Sequence, residues 1–232
     1  MTDQPPLRNA RAAIFDLDGT LLDTLGDLAD SVNVALGESS YPQHTEQTIC
    51  GFIGDGMEML LRRAMPSGAA DDSAALARCL ASFKEHYGKH FANRTKPYEQ
   101  VPELLASLRE REIPLGILSN KPHGFTIKCA QTFFGGSGEL FSVVFGQRDG
   151  VPKKPDPAGA LEAAGALGVA AEHCLYVGDS GVDMQTGLAA GMVPVGVAWG
   201  FRPVEELRAA GAAAIVDRPD ELLAAFRADG SR

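Results

Sequence analysis

The chain has 232 residues, of which 45% are hydrophobic, and its formal net charge at pH 7 is −9. This length and composition predict one large globular domain, or a globular core with a modest insert. The acidic composition contains no run of Lys or Arg, which excludes a surface built to bind nucleic acid or anionic membrane.

The sequence carries no pattern that predicts export or membrane insertion. The first residues, MTDQPPLRNAR, lack the apolar core of a signal peptide, and no apolar run reaches the length of a bilayer span. The four Cys residues are scattered without a Cys-x-x-Cys pair, which is typical of reduced thiols in a protein core. We therefore expect a cytoplasmic protein.

The first predicted element is a short buried strand, Ala12–Phe15, which runs into the carboxylates of Asp16 and Asp18. Residues two apart point to the same side of a strand, so these carboxylates repel each other unless a cation or a shared proton relieves them. The expected cation is Mg²⁺, a hard ion that carboxylates and substrate phosphate hold together. The alternative is a strand-end turn rich in Asp and Gly, with Gly19 allowing the tight turn.

Residues 23–95 form a predicted helical block without a convincing strand. Thr24 and Asp27 have the spacing of a helix N-cap and its acid, and Thr45 is a second expected N-cap. The block follows the two carboxylates directly, so we interpret it as an insert. Its firmest predicted helices are Met57–Ala64 and residues 74–87.

From Val101 onward, predicted helices and apolar strands alternate. Such alternation predicts right-handed βαβ units and a parallel sheet, that is, an α/β fold with a three-layer, Rossmann-like core. The strands are predicted at residues 115–119, 141–145, 174–177, 193–198 and 213–216. The helices are predicted at residues 102–110, 124–134, 158–167, 181–190 and 219–227.

Polar side chains follow several of these strands at their carboxyl ends, where open α/β sheets bind ligands. Four loops, counting the one that carries Asp16 and Asp18, therefore converge on one edge of the sheet. The other three loops carry Ser119, Asn120 and Lys121, then Lys153 and Lys154, then Asp179, Ser180 and Asp183.

Acids, a hydroxyl, backbone amides and a lysine on one edge fit phosphoryl transfer. A carboxylate such as that of Asp16 can form an aspartyl-phosphate, which splits one hard displacement into two. Mg²⁺ held by Asp16 and Asp179, with a lysine and the amides around Ser119, would neutralise the phosphoryl oxygens. Asp18 is placed to protonate the leaving oxygen and later to activate water.

The order of these motifs resembles that of the haloacid dehalogenase superfamily. The helical block resembles the α-helical C1-type cap which that superfamily inserts after its first motif. The resemblance implies a core of residues 1–22 and 96–232 and a cap of residues 23–95. The motifs that carry it are Asp16-Leu-Asp18-Gly-Thr20, Leu118-Ser119-Asn120-Lys121, Lys154-Pro155 and Gly178-Asp179-x-x-x-Asp183.

The same resemblance implies a role for each motif residue. Asp16 is the implied nucleophile, Asp18 the general acid and base, and Lys154 the charge stabiliser. Asp18 favours phosphate chemistry, because the dehalogenases and phosphonate hydrolases of the superfamily lack an acid there. Substrate binding is implied for Gly19, Thr20, Ser119 and Asn120. A Mg²⁺ site is implied for Asp16, Asp18 through its backbone carbonyl, Asp179 and Asp183.

Within the superfamily, the sequence looks most like the phosphoglycolate phosphatase group. That group usually has Thr where this chain has Ser119, a change that keeps the hydroxyl. The resemblance implies a Mg²⁺-dependent phosphatase for a small phosphomonoester, first of all 2-phosphoglycolate, acting as a monomer or homodimer. It is carried by Ser119-Asn-Lys-Pro-His-Gly-Phe-Thr126, Lys154-Pro-Asp-Pro157 and Phe52-Ile-Gly54-Asp-Gly56.

Some residues have two interpretations. Lys153 and Lys154 compete for one role, and the Lys-Pro match favours Lys154. His86 and His90 have a helical spacing that can bind zinc, although no third ligand is evident. The turn at residues 54–56 either caps a helix or dips into the site as a flexible cap loop. Four cations either meet a substrate carboxylate or are simply solvated: Arg62, Arg63, Arg94 and Lys96.

Other functions share part of this pattern. A phosphomutase of the β-phosphoglucomutase type, or a pyrophosphatase of the same superfamily, has the same catalytic motifs, and product analysis separates a mutase from a phosphatase. A phospho-acceptor receiver domain also uses Asp, Mg²⁺, Ser or Thr and Lys, but it needs neither Asp18 nor a helical insert. A nucleotide-sugar transferase would explain Asp-x-Asp but leaves the other three loops without a role.

Overall fold

The computed structural model describes residues 9–135 and 140–226 and contains a six-stranded sheet whose neighbouring strands are parallel. The strands are β1 (Ala12–Phe15), β2 (Leu22–Asp23), β3 (Lys96–Pro97), β4 (Leu115–Pro122), β5 (Val143–Gln147), β6 (Cys174–Gly178), β7 (Val193–Val197) and β8 (Ala214–Val216). The order in the large sheet is β5-β4-β1-β6-β7-β8, so β1 lies between β4 and β6. Strands β2 and β3 form a separate antiparallel ribbon.

The helices cover both faces of the sheet, which confirms the predicted α/β fold. Ala13 and Phe15 of β1 pack in one apolar cluster, while Ala12 and Ile14 pack in another, because successive side chains of a strand point to opposite faces. The helices are α1 (Leu25–Glu38), α2 (Glu46–Cys50), α3 (Met57–Ala64), α4 (Ser73–His90), α5 (Val101–Glu110), α6 (His123–Phe134), α7 (Ala158–Leu167), α8 (Gly181–Ala189) and α9 (Val204–Ala209).

Helices α1 to α4 lie between β2 and β3, as the predicted helical block requires. Their buried faces pack together, with Val32 and Leu36 of α1 and Cys79 and Phe83 of α4 in the same cluster. The described residues contain no helix long and apolar enough to cross a membrane.

Thr24 and Asp27 do not form the capping box that their spacing predicts. Thr24 precedes α1 with φ −103° and ψ 1°, and its side chain makes no capping hydrogen bond. The Asp27 carboxylate is used elsewhere: Oδ2 accepts from Thr95 N at 2.8 Å and Thr95 Oγ1 at 2.7 Å, and Oδ1 accepts from Arg94 N at 3.0 Å. Asp27 therefore ties the start of the helical block to its end.

The predicted closing helix at residues 219–227 is present in a tighter form. Pro219–Ala225 is a 3₁₀ helix, and residue 227 lies outside the described residues. Ala10 N donates to Ala225 O, and Phe226 pairs with Ala10 in an isolated β-bridge. Phe226 therefore adopts an extended backbone conformation that pairs with the N-terminal segment, and this pairing ends the helix at Ala225.

Candidate active site

The carboxyl ends of β1, β4 and β6 meet at one edge of the sheet, as the sequence predicts. Strand β1 pairs with β4 on one side and with β6 on the other, so later strands lie on both sides of β1 and a crevice opens at its carboxyl end. The loop between β5 and α7 brings Lys154 to the same edge, where its Nζ lies 3.0 Å from Asp16 Oδ1.

Three carboxylates share a buried space at this edge. Asp16, Asp179 and Asp183 each place an oxygen within 4.8 Å of the others. Burial raises the pKa of Asp16 to about 6, against the charge of Lys154. Burial, followed by the charges of Asp183 and Asp16, raises the pKa of Asp179 to about 8. Among the described residues, Lys154 is the cation that pairs with these three acids, and it contacts Asp16 and Asp183, so the cluster has too little positive charge.

Lys154 is buried between two of these acids. Its Nζ donates to Asp183 Oδ1 at 2.7 Å and forms an ion pair with Asp16 Oδ1 without hydrogen-bond geometry. Burial lowers the pKa of Lys154, but Asp16 and Asp183 more than offset this, and the net pKa lies well above its usual value. Lys154 is therefore a permanent cation beside Asp16. Lys153, its competitor in the sequence, is exposed, with Nζ 3.5 Å from Asp55 O.

Asp179 is oriented by groups from two other loops. Thr20 Oγ1 donates to Oδ1 at 3.1 Å, and the Phe201 backbone N–H donates to Oδ2 at 2.8 Å. Gly19, with φ +85°, approaches so closely that a Cβ there would lie 2.3 Å from Asp179 Oδ2. A Cβ on Gly200 would lie 2.1 Å from Asp179 Cβ. The first motif and the loop after β7 thus fix this carboxylate, and the role of that loop was not predicted from the sequence.

Asp183 is fully buried and serves the helix as well as the cluster. Ser180 Oγ donates to Asp183 Oδ2 at 2.6 Å, and the Asp183 backbone N–H donates to Ser180 Oγ in a capping box that starts α8. The other oxygen, Oδ1, accepts from Lys154. Ser180 is thus a helix cap that holds an acid of the cluster in place.

Asn120 connects three loops through its side-chain amide. Oδ1 accepts from Lys154 N at 2.9 Å, and Nδ2 donates to Lys154 O at 3.2 Å and to Gly54 O of the helical block at 3.1 Å. These bonds position the backbone of Lys154, so a substrate contact by Asn120 would come from its main chain. Ser119 Oγ accepts from the Lys121 backbone N–H at 3.3 Å and lines the pocket described below.

Asp18 pairs with a lysine that the sequence-based roles passed over. Lys121 Nζ donates to Asp18 Oδ1 at 2.8 Å and Oδ2 at 3.1 Å, and it lies 4.7 Å from the centre of the Tyr87 ring in α4. Burial lowers the pKa of Lys121, but Asp18 more than offsets this and the net pKa rises well above its usual value. The only sequence signal was its position directly after Asn120.

A pocket with a cavity volume of about 50 Å³ lies between the sheet edge and the helical block. Its floor contains Asp16, Asp18, Ser119 and Asp179. Its opposite wall is apolar apart from the Tyr87 hydroxyl and is formed by Leu28, Ile53, Met57, Leu60, Phe83 and Tyr87. Gly54 and Gly56 also line it, and Gly56 precedes α3 as its N-cap, so the turn at residues 54–56 both caps a helix and faces the site.

The alternative cation and zinc candidates lie outside this pocket. Arg62 pairs with Glu58, Arg63 with Asp55, and Arg94 with Asp30 and Glu46, all on exposed surfaces. The rings of His86 and His90 lie with their centroids 4.4 Å apart and their planes tilted by 35°. Among the described residues, the acid cluster is the group of three or more potential metal ligands that come close enough to share an ion, and neither histidine belongs to it.

The acid cluster fits a divalent cation. Asp16 Oδ1 is buried without a hydrogen-bond partner among the described residues, which leaves an oxygen free to bind a ligand. The donors are carboxylate oxygens, the ligands that Mg²⁺ prefers, and two of the three acids have raised pKa values that a bound cation would relieve.

Residues 13–197 match the family model described as haloacid dehalogenase-like hydrolase. The phosphoglycolate phosphatase of Yersinia pseudotuberculosis is 33% identical over 217 residues, which cover 93% of this chain and 90% of that protein. The phosphoglycolate phosphatase of Thiobacillus denitrificans is 34% identical over 205 residues, covering 85% and 88%. A crystal structure from Lactobacillus delbrueckii subsp. bulgaricus, a candidate phosphoglycolate phosphatase, is 31% identical with a TM-score of 0.85, covering 94% of this chain and 98% of that one.

Proposed function

Because the chain belongs to the haloacid dehalogenase-like hydrolase family, we propose that it is a Mg²⁺-dependent phosphatase that works through an aspartyl-phosphate on Asp16. The observation that carries this proposal is the state of Asp16 itself. Its Oδ1 is buried, has no hydrogen-bond partner among the described residues, and lies 3.0 Å from the ammonium of Lys154. A carboxylate oxygen held free beside a fixed cation is suited to attack a phosphoryl group.

The side chains around Asp16 divide the reaction into two steps. In the first, an oxygen of Asp16 bonds to phosphorus while the ester bond breaks, and Asp18 gives its proton to the leaving oxygen. In the second, Asp18 takes a proton from water, which attacks the phosphoaspartate, releasing phosphate and restoring Asp16. Lys154 and the hydroxyl and amides around Ser119 would hold the phosphoryl oxygens during both steps.

Asp16, Asp179 and Asp183, with the backbone carbonyl of Asp18, would hold the metal. Mg²⁺, when bound, supplies the positive charge that this cluster lacks and screens Asp16 from the incoming phosphate. Thr20 and the Phe201 backbone N–H position Asp179, and Ser180 positions Asp183, so the ligands are oriented by the fold.

We assign the helices between β2 and β3 to a cap, so that residues 1–22 and 96–232 form the core and residues 23–95 the cap. The apolar wall of the pocket comes from this segment, and the Asn120–Gly54 hydrogen bond joins the two parts. Closure of the cap would exclude water during phosphoryl transfer, and its opening would release the product.

For the substrate we propose 2-phosphoglycolate, which the names of the relatives support. The pocket is small, and the Tyr87 hydroxyl is the polar group in the wall named above, so this wall offers few partners for the hydroxyls of a sugar, which disfavours a phosphomutase of the β-phosphoglucomutase type. The four Cys residues are free thiols, consistent with a cytoplasmic enzyme, which we expect to act as a monomer or homodimer.

Phosphate release tests this function. We would compare 2-phosphoglycolate with sugar phosphates, nucleotides and pyrophosphate by kcat/KM, with Mg²⁺ and with a chelator. We expect a preference for 2-phosphoglycolate of about a hundredfold, no activity with the chelator, and no turnover by a folded Asp16→Asn variant. Normal activity of that variant would refute the nucleophile, and equal weak activity on all substrates would refute 2-phosphoglycolate.

A further inference from the structure

Lys121 is a buried cation at the pocket, and its surroundings indicate a second role besides pairing with Asp18. Its side chain is 4% exposed, and it lines the pocket together with Asp18 and Tyr87. An ammonium has three N–H donors, and the hydrogen bonds of Nζ in the described residues all go to the two oxygens of Asp18. Lys121 therefore keeps capacity for a further anionic partner.

The location of Lys121 specifies which part of a substrate it would meet. On the proposed function, Asp18 protonates the oxygen of the alcohol that leaves. Lys121 Nζ lies 2.8 Å from Asp18 Oδ1, and it also lies 4.7 Å from the centre of the Tyr87 ring, which the cap contributes. The first carbon atoms of the leaving group, and any charged group on them, would therefore lie next to this ammonium.

The other cations near the pocket, Lys154 and Arg202, already have partners, although Arg202 also lines the pocket. Lys154 lies between Asp16 and Asp183. The Arg202 guanidinium donates to Gly51 O at 3.3 Å and to Ile53 O at 2.5 Å, so it closes the cap loop onto the core. Beyond Lys121, the wall from the helical block is apolar apart from the Tyr87 hydroxyl, which is buried without a hydrogen-bond partner among the described residues.

We propose that Lys121 determines specificity by binding a carboxylate on the carbon next to the ester oxygen. The substrate class is then a phosphoester of a short 2-hydroxy acid, with no further polar group for the apolar wall to meet. This inference rests on the proposed function. It adds the residue that recognises the leaving group, a role that none of the candidate cations of the helical block takes.

The test compares 2-phosphoglycolate with its carboxamide, which has the same shape without the charge. We expect the wild-type protein to prefer the carboxylate by about 10- to 100-fold in kcat/KM, the range expected for a hydrogen bond to a charged group. Lys121→Met, which keeps the length of the side chain, should bring this ratio close to one. Lys153→Met is the matched control, because it removes an exposed lysine, and its ratio should equal that of the wild type.

Each outcome separates the inference from the function beneath it. Equal losses on both substrates in Lys121→Met would mean that Lys121 only positions Asp18, which overturns the inference. A wild-type ratio near one also overturns it, without needing any variant to fold, while leaving the phosphatase intact. A wild-type protein that releases phosphate from neither substrate with Mg²⁺ present would refute the proposed function itself.

Discussion

Mg²⁺ should stabilise this protein more strongly at pH 8 than at pH 5. In the metal-free protein, burial raises the pKa of Asp16 from 3.8 to about 6 and that of Asp179 from 3.8 to about 8. The folded state then binds more protons than the unfolded chain between about pH 4 and pH 8. These two groups therefore favour folding below pH 4 and lose that contribution as the pH rises through their folded pKa values.

The pKa shift of Asp16 alone gives the size of the expected stabilisation by Mg²⁺. A rise of about two pKa units corresponds to about 3 kcal/mol of free energy of unfolding, since one unit is about 1.4 kcal/mol. For a chain of this size, that corresponds to roughly 6–12 °C in Tm. A bound divalent cation compensates for the ionised carboxylates, so it should restore about this much stability at pH 8 and little at pH 5.

Thermal melts at pH 5 and pH 8, with saturating Mg²⁺ or with NaCl at the same ionic strength, measure the difference directly. The account predicts that the Mg²⁺-induced rise in Tm is larger at pH 8. Asp179→Asn should reduce this rise, because it removes one proposed ligand. A rise of equal size at both pH values would refute the reasoning about the acid cluster.

Two substitutions, one in the site and one in the helical block, test structural assignments by urea denaturation, and the first is also assayed by phosphate release. Lys154→Met leaves two buried carboxylates without their cation, so it should lower the free energy of unfolding by about 3–5 kcal/mol and kcat/KM by at least about a thousandfold. Its control, Lys153→Met, should change the free energy of unfolding by less than about 0.5 kcal/mol. Asp27→Ala leaves the Thr95 backbone N–H and hydroxyl without their acceptor, so it should cost about 2–4 kcal/mol, against less than about 1 kcal/mol for the exposed Asp30→Ala. Equal effects in either pair would contradict the corresponding assignment.

The meeting of Asp16, Asp179 and Lys154 could be predicted because it depends on backbone topology. Carboxyl ends of parallel strands meet at one edge, and each of these residues follows a predicted strand or lies in the loop after one. Periodicity also located the helical insert, because its apolar residues recur at helical spacing over long segments.

The features that could not be predicted depend on side chains that meet across loops. The Lys121–Asp18 ion pair requires β4 to continue to Pro122, three residues beyond the predicted end. Asp27 has the spacing of a capping acid, but a stronger set of donors at Arg94 and Thr95 takes its carboxylate. Strands β2 and β3 have two residues each, too few for any period to show.

Direct detection of the phosphoaspartate tests the central claim. The wild-type protein would be mixed with Mg²⁺ and 2-phosphoglycolate, quenched during turnover and reduced with borohydride, which converts an aspartyl-phosphate to homoserine. Peptide mass spectrometry should then find homoserine at the position of Asp16 and an unchanged Asp18. Phosphate release with an unmodified Asp16, or with homoserine at another carboxylate, would contradict the account.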